Sequence, residues 1–448
     1  MAPRVLHYSD LENAYDTPER IGRVAGVLRA RDGPDALVAG SGDNTAPGVL
    51  SLVTDGRQAL DFFEAVEPDA DTLGNHDFDN GRDALDAVVG ESPHPWTVAN
   101  VTVDGRTIAT DRGVTPTVTV EVDGETVGLV GVVAPETPSM VPHLSEPTFS
   151  DPVAAVRRAV DSLAADGADY VVALAHTSDD DSRRIARETA VDAVLAGHAH
   201  DPTDAVIDGT VLTRPGASGR LVYEVDLGTR TATRHETAEF PVVDDVAGAL
   251  RDRIAAHGLD EVVDTVDDPL SRDRAHKLHG EWRLGNFVAD AYRWATGADV
   301  GLQNAGGIRE GPPLSGPVTV GELVGLSPFE EPVVVAEVTG DRLRQIAREA
   351  DGRAVDGVPD YWWGHVSGLR IDGTPSDPTA SVGGDPIDPA ATYRIATPAF
   401  VLGSDREFPA LSPEHRVDAV EAQYEVIVAY AREHGVEAPL DGRLPEWA

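Results

Sequence analysis

The sequence predicts two α/β domains in series, and three observations carry that expectation. Short apolar runs alternate with segments of helical period through the first half of the chain. Across 236–265 the pattern changes to one that reads as a helix leading out of the first domain. From 266 onward a second α/β segment follows, richer in glycine and proline and holding five of the six tryptophans. The expected boundaries are therefore 1–235 for the first domain, 236–265 for a linker helix and 266–448 for a smaller second domain.

The elements of the first domain can be justified in order. The apolar run "VLHYSD" (5–10) precedes a helical pattern over 17–31, and "ALVAGSGD" (36–43) precedes a helix near 56–66. Next come "ADTLGNHD" (70–77), a helix over 81–90 and the strand-like "WTVANVTV" (96–103). The stretch 114–134 alternates at period two around Asp123-Gly124, a hairpin signal. Segment 151–167 sets Val153, Val156, Val160 and Leu163 on one helical face. "DYVVALAH" (169–176), a helix over 180–189 and "VDAVLAGHAH" (191–200) repeat the scheme, which "VLTRPG" and "RLVYEVDLG" close. No internal repeat or low-complexity tract interrupts it.

Composition narrows the function. With 41% hydrophobic residues over 448 positions the chain can bury a sizeable core. It carries 77 acidic residues against 36 basic ones, a net charge of −41, and Lys277 is its one lysine. An acid excess spread evenly along the chain reads as adaptation to a high-salt cytoplasm, where salt screens self-repulsion. Such a surface disfavours nucleic acid and anionic membranes as partners. Cysteine is absent, which excludes disulfides and thiolate metal sites. No run of 18 apolar residues occurs, and no signal-peptide pattern precedes the first strand; the expectation is a cytoplasmic enzyme.

The chemistry gathers where strands end. Five apolar runs stop at Asp10, at Asp43, at Asn75-His76-Asp77, at His176 and at the pair His198/His200. Ligands of open α/β sheets collect at the carboxyl ends of strands, so these residues can converge on one crevice. Asp, Asn and His together suit a pair of divalent transition metals better than calcium or magnesium alone. Gly42, Gly74 and Gly197 are expected to permit the sharp exits that turn these side chains inward. Singly, each piece has an ordinary structural reading, a turn or a buried histidine; it is their agreement that argues for a site.

At that level of detail the sequence resembles a known family. "SD" (9–10), "GDNTAPG" (42–48), "GNHDFD" (74–79), "AH" (175–176) and "GHAH" (197–200) look like the signature of calcineurin-type metallophosphoesterases. "NAGGIR" (304–309), "LSPFEEPVVVAEVTGDRL" (326–343), "HVSGLR" (365–370) and "YRIATPAFVLGSD" (393–405) are similar to the C-terminal domain of two-domain 5′-nucleotidases. The resemblance implies an N-terminal β-sandwich flanked by helices and a smaller α/β substrate domain. It implies two divalent cations (Mn, Zn, Mg or Co) bridged by Asp43, one also held by Asp10 and His200, the other by Asn75, His176 and His198. His76 and Asp77 match the catalytic dyad, the histidine acting on the transition state or leaving oxygen while Asp77 orients it. On the second domain it implies Asn304, Gly306, Gly307 and Arg309 at the substrate, Arg309 on phosphate. Trp363 and Phe400 would stack the base, and Asp405 would take the ribose hydroxyls.

Two departures stand out. The family's first motif is Asp-x-His, and here Glu12 stands in the histidine's place, either as a carboxylate ligand that favours harder ions such as Mn²⁺ or Mg²⁺ or turned away, leaving the first metal more weakly held. The glycine-rich ribose loop appears as "GSDREF" (403–408), with Arg406 and Glu407 where glycine is usual. The expected activity is release of phosphate from nucleoside monophosphates. Hydrolysis of 2′,3′-cyclic nucleotides or of nucleotide-sugar pyrophosphates is the enzymatic alternative, and a degenerate nucleotide-binding protein the non-enzymatic one. Because ligands and base-holding residues lie on separate domains, domain movement in turnover is also expected as a hypothesis.

Overall fold

The structure is a computed structural model that describes residues 2–141, 144, 146–355, 363–374, 377–404 and 406–445. It divides into two compact units, Met1–His257 and Gly258–Ala448. The first is a sandwich of two sheets. A four-stranded sheet runs in the order Thr231–Glu236, Leu221–Asp226, Arg4–Tyr8, Ala36–Gly40. A six-stranded sheet runs Thr203–Ile207, Thr210–Arg214, Ala193–Ala196, Tyr170–His176, Glu125–Val133, Thr117–Val122. Between them lies a core that joins Val5, Leu37 and Val225 to Leu129, Val172, Leu174, Leu195 and Val211.

The near-continuous apolar run of Tyr170–His176 follows from its place. One face meets that core; the other carries Ala173 and Ala175 against Val156, Val160 and Leu163 of the helix Pro152–Ala165. A strand covered on both faces has no polar side to show. The helix itself starts where Asp151 accepts from the Ala154 N–H at 2.8 Å, with Pro152 in its first turn. The next helix, Asp179–Glu188, is capped by Ser178 and opens with three aspartates, which suit the positive end of its dipole.

Two expected strands are reduced. Residues 70–71 and 96–97 make isolated bridges only, and 96–103 keeps a strand at Val101–Val103 alone. The ladder gives way because Asp71 turns inward, accepting from Tyr8 Oη at 2.8 Å and from Asn44 Nδ2 at 3.0 Å, and the chain then leaves to wrap around Asp43. The segment 236–265 is likewise divided. Its helix, Asp244–Ala256, buries Val246, Ala247 and Leu250 within the first unit and is tied there by Arg253 to Asp61 at 2.5 and 2.8 Å. Strand Val262–Leu270 pairs with Leu314–Thr319 in the second unit.

The second unit is built on a five-stranded sheet, Gly364–Ser367, Val300–Asn304, Thr392–Pro398, Pro332–Thr339, Arg416–Ala422. Helices Arg283–Thr296, Gly340–Glu349 and Gln423–His434 pack with it. Among the described residues, no helix is long and apolar enough to cross a membrane.

Candidate active site

Four of the five ligand-bearing segments of the first unit leave strands at the carboxyl end, the fifth, 75–77, follows the bridges at 70–71, and three groups of side chains come together there. Asp43, His176 and His198 form one, Asp10, Glu12 and His200 a second, Glu12, Asp43 and His76 a third; within each the ligand atoms lie within 4.8 Å of one another. Asn75 joins the first group, its Oδ1 lying 2.7 Å from His198 Nδ1 and 3.2 Å from His176 Nε2.

The backbone is bent to achieve this. Asp10, Glu12, Asp43 and His198 all have positive φ, at 50, 47, 53 and 72°, a region that non-glycine residues enter at a cost, here four times around one cluster of side chains. Of the three glycines expected to give sharp exits, only Gly42 uses its conformational freedom, with φ +89°. Gly74 and Gly197 are needed for space instead. A Cβ on Gly74 would fall 2.1 Å from Asp43 Oδ1, and one on Gly197 2.6 Å from Ser9 Oγ.

Hydrogen bonds around the groups fix which atoms are free. His176 Nδ1 lies 2.8 Å from the Ser41 carbonyl oxygen, so Nδ1 carries the proton and donates. Its Nε2, 3.0 Å from Asp43 Oδ2, is then the atom that would give up its proton and offer a lone pair to a bound cation. Asp43 Oδ1 accepts from the His76 N–H at 2.7 Å, and Asp10 Oδ1 from the His198 N–H at 2.9 Å. His200 Nε2 stands 3.0 Å from Glu12 Oε1 and 3.7 Å from Asp10 Oδ1.

The electrostatics are those of closely packed carboxylates that raise the imidazoles facing them. Burial pushes the Asp10 carboxyl up to about 7. Burial would lower His176, but Asp43 outweighs it and holds the imidazole up at about 10. His198, half-buried and facing the charged His176, falls to about 4 despite Asp43. Buried carboxylates packed this closely need a cation, and the mix of carboxylate, amide and imidazole donors fits divalent metal ions.

One expected role is corrected here. Among the described residues no hydrogen bond joins Asp77 to His76. His76 Nδ1 faces Asp79 Oδ2 at 2.7 Å, three residues on. Burial lowers His76, but the Asp79 hydrogen bond and the nearby Asp43 raise it further, to about 9. Asp77 turns inward as a brace: Oδ2 accepts from the N–H groups of Asp43 (3.0 Å) and Gly74 (2.7 Å), Oδ1 from Thr45 N (3.0 Å) and Thr45 Oγ1 (2.6 Å). The 3-10 turn His76–Phe78 explains the choice, since residues three apart share a face and adjacent ones do not. Asp79 lies inside "GNHDFD", so its spacing from His76 was the available signal.

In the second unit Asn304 closes strand Val300–Asn304, and Gly306 and Gly307 form the turn that follows. Arg309 is exposed, with its guanidinium 4.8 Å from the centre of the Phe329 ring. Phe400 is 49% exposed, and its backbone N–H donates to the Glu331 carboxylate, two residues beyond Phe329. Trp363 does not serve as expected. It is 2% exposed, packed in the core of its unit, and its Nε1 donates to the Glu349 carbonyl at 2.6 Å. A large ring beside the buried strand Gly364–Ser367 gains more by burial than by display. Asp405 lies outside the described residues. Glu407 accepts from Asn304 Nδ2 at 2.6 Å, and Arg272 and Lys277 reach the carbonyls of Arg309 and Ile308 at 3.3 Å. Sequence reasoning gave no role to Phe329, Arg272 or Lys277, although Lys277, as the one lysine, was a signal.

Comparison with known proteins gives the same division. Residues 3–202 match the model of calcineurin-like phosphoesterases, and 262–413 that of the 5′-nucleotidase C-terminal domain. Endonuclease YhcR of Bacillus subtilis is 26% identical over 89% of this chain, which spans about a third of that protein's length (36%). A protein named 5′-nucleotidase from Diplobatis ommata is 24% identical, the alignment covering 93% of this chain and 82% of the other. The crystal structure of a 5′-nucleotidase precursor from Thermus thermophilus has the same fold, with a TM-score of 0.73, 24% identity and 99% of both chains covered. Two domains matched in series and one fold over nearly the whole length agree: the chain belongs to the two-domain family of calcineurin-like phosphoesterases with a 5′-nucleotidase C-terminal domain.

Proposed function

We propose that the chain is a metal-dependent phosphohydrolase that releases phosphate from nucleoside monophosphates. The observation that carries this reading is the convergence of Asp43, Asn75, His176 and His198 beside Asp10 and His200 at one edge of the sandwich. Asp43 would bridge two divalent cations, with Asp10 and His200 on one and Asn75, His176 and His198 on the other. Bound there, the cations would neutralise phosphate charge and lower the pKa of a water.

The chain's own residues would do the rest. The Ser41 carbonyl keeps His176 in the tautomer that leaves Nε2 free, and Asp77 holds the Asp43 and Gly74 backbone in place. His76, oriented by Asp79, presents its other nitrogen to the transition state or leaving oxygen. Arg309 would hold phosphate, with Asn304, Gly306 and Gly307 shaping that turn. Phe400 and Phe329, rather than Trp363, are the rings we assign to the base.

The net charge of −41 supports a protein adapted to high salt, so assays belong in molar KCl. The test is phosphate release from AMP, other monophosphates, 2′,3′-cyclic nucleotides and UDP-glucose, with Mn²⁺, Mg²⁺, Zn²⁺ or EDTA. Metal-dependent turnover of monophosphates that falls in His76→Ala is expected. Turnover confined to cyclic nucleotides or UDP-glucose would transfer the assignment to those substrates. Absence of metal-dependent turnover on every substrate would leave a nucleotide-binding protein.

A further inference from the structure

We propose that Glu12 is a direct metal ligand and makes the centre asymmetric, with one hard, carboxylate-rich position and one imidazole-rich position. The inference rests on the metal-dependent reading above and adds to it which cation each position prefers. Three observations carry it. Glu12 is only 8% exposed, a degree of burial that a glutamate side chain rarely reaches unless it is paired or coordinates a metal. Its backbone is held in the left-handed region, φ 47°, with its N–H donating to the Asp43 carbonyl at 3.2 Å, so the side chain starts from the metal-bearing loop. And Glu12 belongs to two of the three ligand groups at once, with Asp10 and His200 on one side and with Asp43 and His76 on the other.

A plain ion pair with His200 explains less. The His200 side chain is about half exposed and can find water, whereas Glu12 sits among Asp10 and Asp43, two further buried carboxylates that repel it. Among the described residues, no lysine or arginine lies within salt-bridge distance of Glu12. A divalent cation beside Asp10, Glu12, Asp43 and His200 resolves that repulsion. Such a set offers three carboxylates and one imidazole. The other position offers Asn75, His176, His198 and the shared Asp43, one carboxylate and two imidazoles. Carboxylate oxygens suit Mn²⁺ and Mg²⁺, while imidazole nitrogens suit Zn²⁺. Every site binds Zn²⁺ more tightly than Mn²⁺ in absolute terms, so the asymmetry must appear as a difference in the Zn:Mn affinity ratio between positions.

The test is metal binding, measured on the full chain in molar KCl after chelation and dialysis. Mn²⁺ uptake is followed by electron paramagnetic resonance, and Zn²⁺ competition by metal analysis of the dialysed protein. Glu12→Gln keeps the volume and removes the charge. It is expected to weaken one of two Mn²⁺ sites by roughly tenfold or more, since even groups that only support a ligand change affinity by about 10–100-fold. Glu12→His is expected to raise the Zn:Mn ratio of that one position while the other is unchanged. Circular dichroism at the same salt confirms that both variants are folded, and either variant alone suffices. Two Mn²⁺ sites of wild-type affinity in Glu12→Gln, or an unchanged Zn:Mn ratio in Glu12→His, would overturn the proposal. Failure of the proposed activity would look different: two asymmetric metal sites with no phosphate released from any substrate.

Discussion

Exchanging either aspartate after His76 for asparagine separates two roles that sequence adjacency confuses. Asp79 touches His76 Nδ1 at 2.7 Å with both side chains about one-third exposed, at 35% and 32%. A hydrogen bond to a charged group contributes about 1.5–3 kcal/mol, and solvent screening puts this pair at the low end. Asp79→Asn should therefore lower kcat/KM by about tenfold through orientation alone, since ~1.4 kcal/mol is a factor of ten. The loss would approach the 10²–10⁴ of a general acid if His76 also changes protonation. Its melting temperature should stay near wild type. Asp77 accepts four hydrogen bonds, all buried. An asparagine there must aim its NH₂ at one pair of donors; facing Thr45 strands at least that backbone N–H, at about 1–3 kcal/mol. For a unit of this size that is about 2–4 °C of melting temperature per kcal/mol, hence a fall of roughly 5 °C. Phosphate release from AMP with Mn²⁺ and thermal unfolding by circular dichroism, both in molar KCl, read the two quantities. A stable but inactive Asp77→Asn beside a fully active Asp79→Asn would refute the assignment.

Three further outcomes are expected. His94 is packed edge-on to Phe63 and tilted against Trp96 with neither ring nitrogen bonded, and burial lowers it to about 3. The folded state then binds fewer protons than the unfolded one between about pH 6.5 and 3, so this contribution to stability is intact above pH 6.5 and lost as pH falls, by ~1.4 kcal/mol per unit. His94→Phe should flatten that part of the stability-against-pH curve from chemical denaturation, and an unchanged slope would show that the imidazole is not the cause. Phe329→Ala and Phe400→Ala should each raise KM for nucleotides by roughly 5- to 150-fold with little thermal shift, as about 1–3 kcal/mol per stacked base implies. Trp363→Ala should instead lose about 3–5 kcal/mol of stability, measured by denaturant unfolding; the reverse pattern would return Trp363 to the base. Gly42→Ala sets a Cβ 2.6 Å from His176 Nδ1 at a φ of +89°, and should abolish turnover and reduce bound metal, measured by elemental analysis.

How much of this was legible in the chain depends on the range of the signal. The strand and helix alternation of the first unit, and the polar residues that end its strands, are local patterns. A short apolar run stopped by a ligand type, in three of the five cases after a glycine, needs no knowledge of the rest of the molecule. Asp10, Asp43, Asn75, His176, His198 and His200 were identified on that basis, and the fold brings them together. The isolated bridges at 70–71 and 96–97 were not legible, because the ladder there is broken by Asp71, whose partners Tyr8 and Asn44 come from elsewhere in the chain.

The sequence alone determined which residue types stand at the ends of which strands, because hydrophobic period and turn chemistry are properties of neighbouring residues. Tertiary structure alone decided where their side chains point. It chose Asp79 over Asp77 for His76, since a 3-10 turn sends adjacent residues to different faces. It buried Trp363 and left Phe400 and the ring beneath Arg309 within reach of solvent. And it set Glu12 between two ligand groups, a position fixed by a left-handed backbone torsion and by loops nearly two hundred residues apart, which no spacing along the chain encodes.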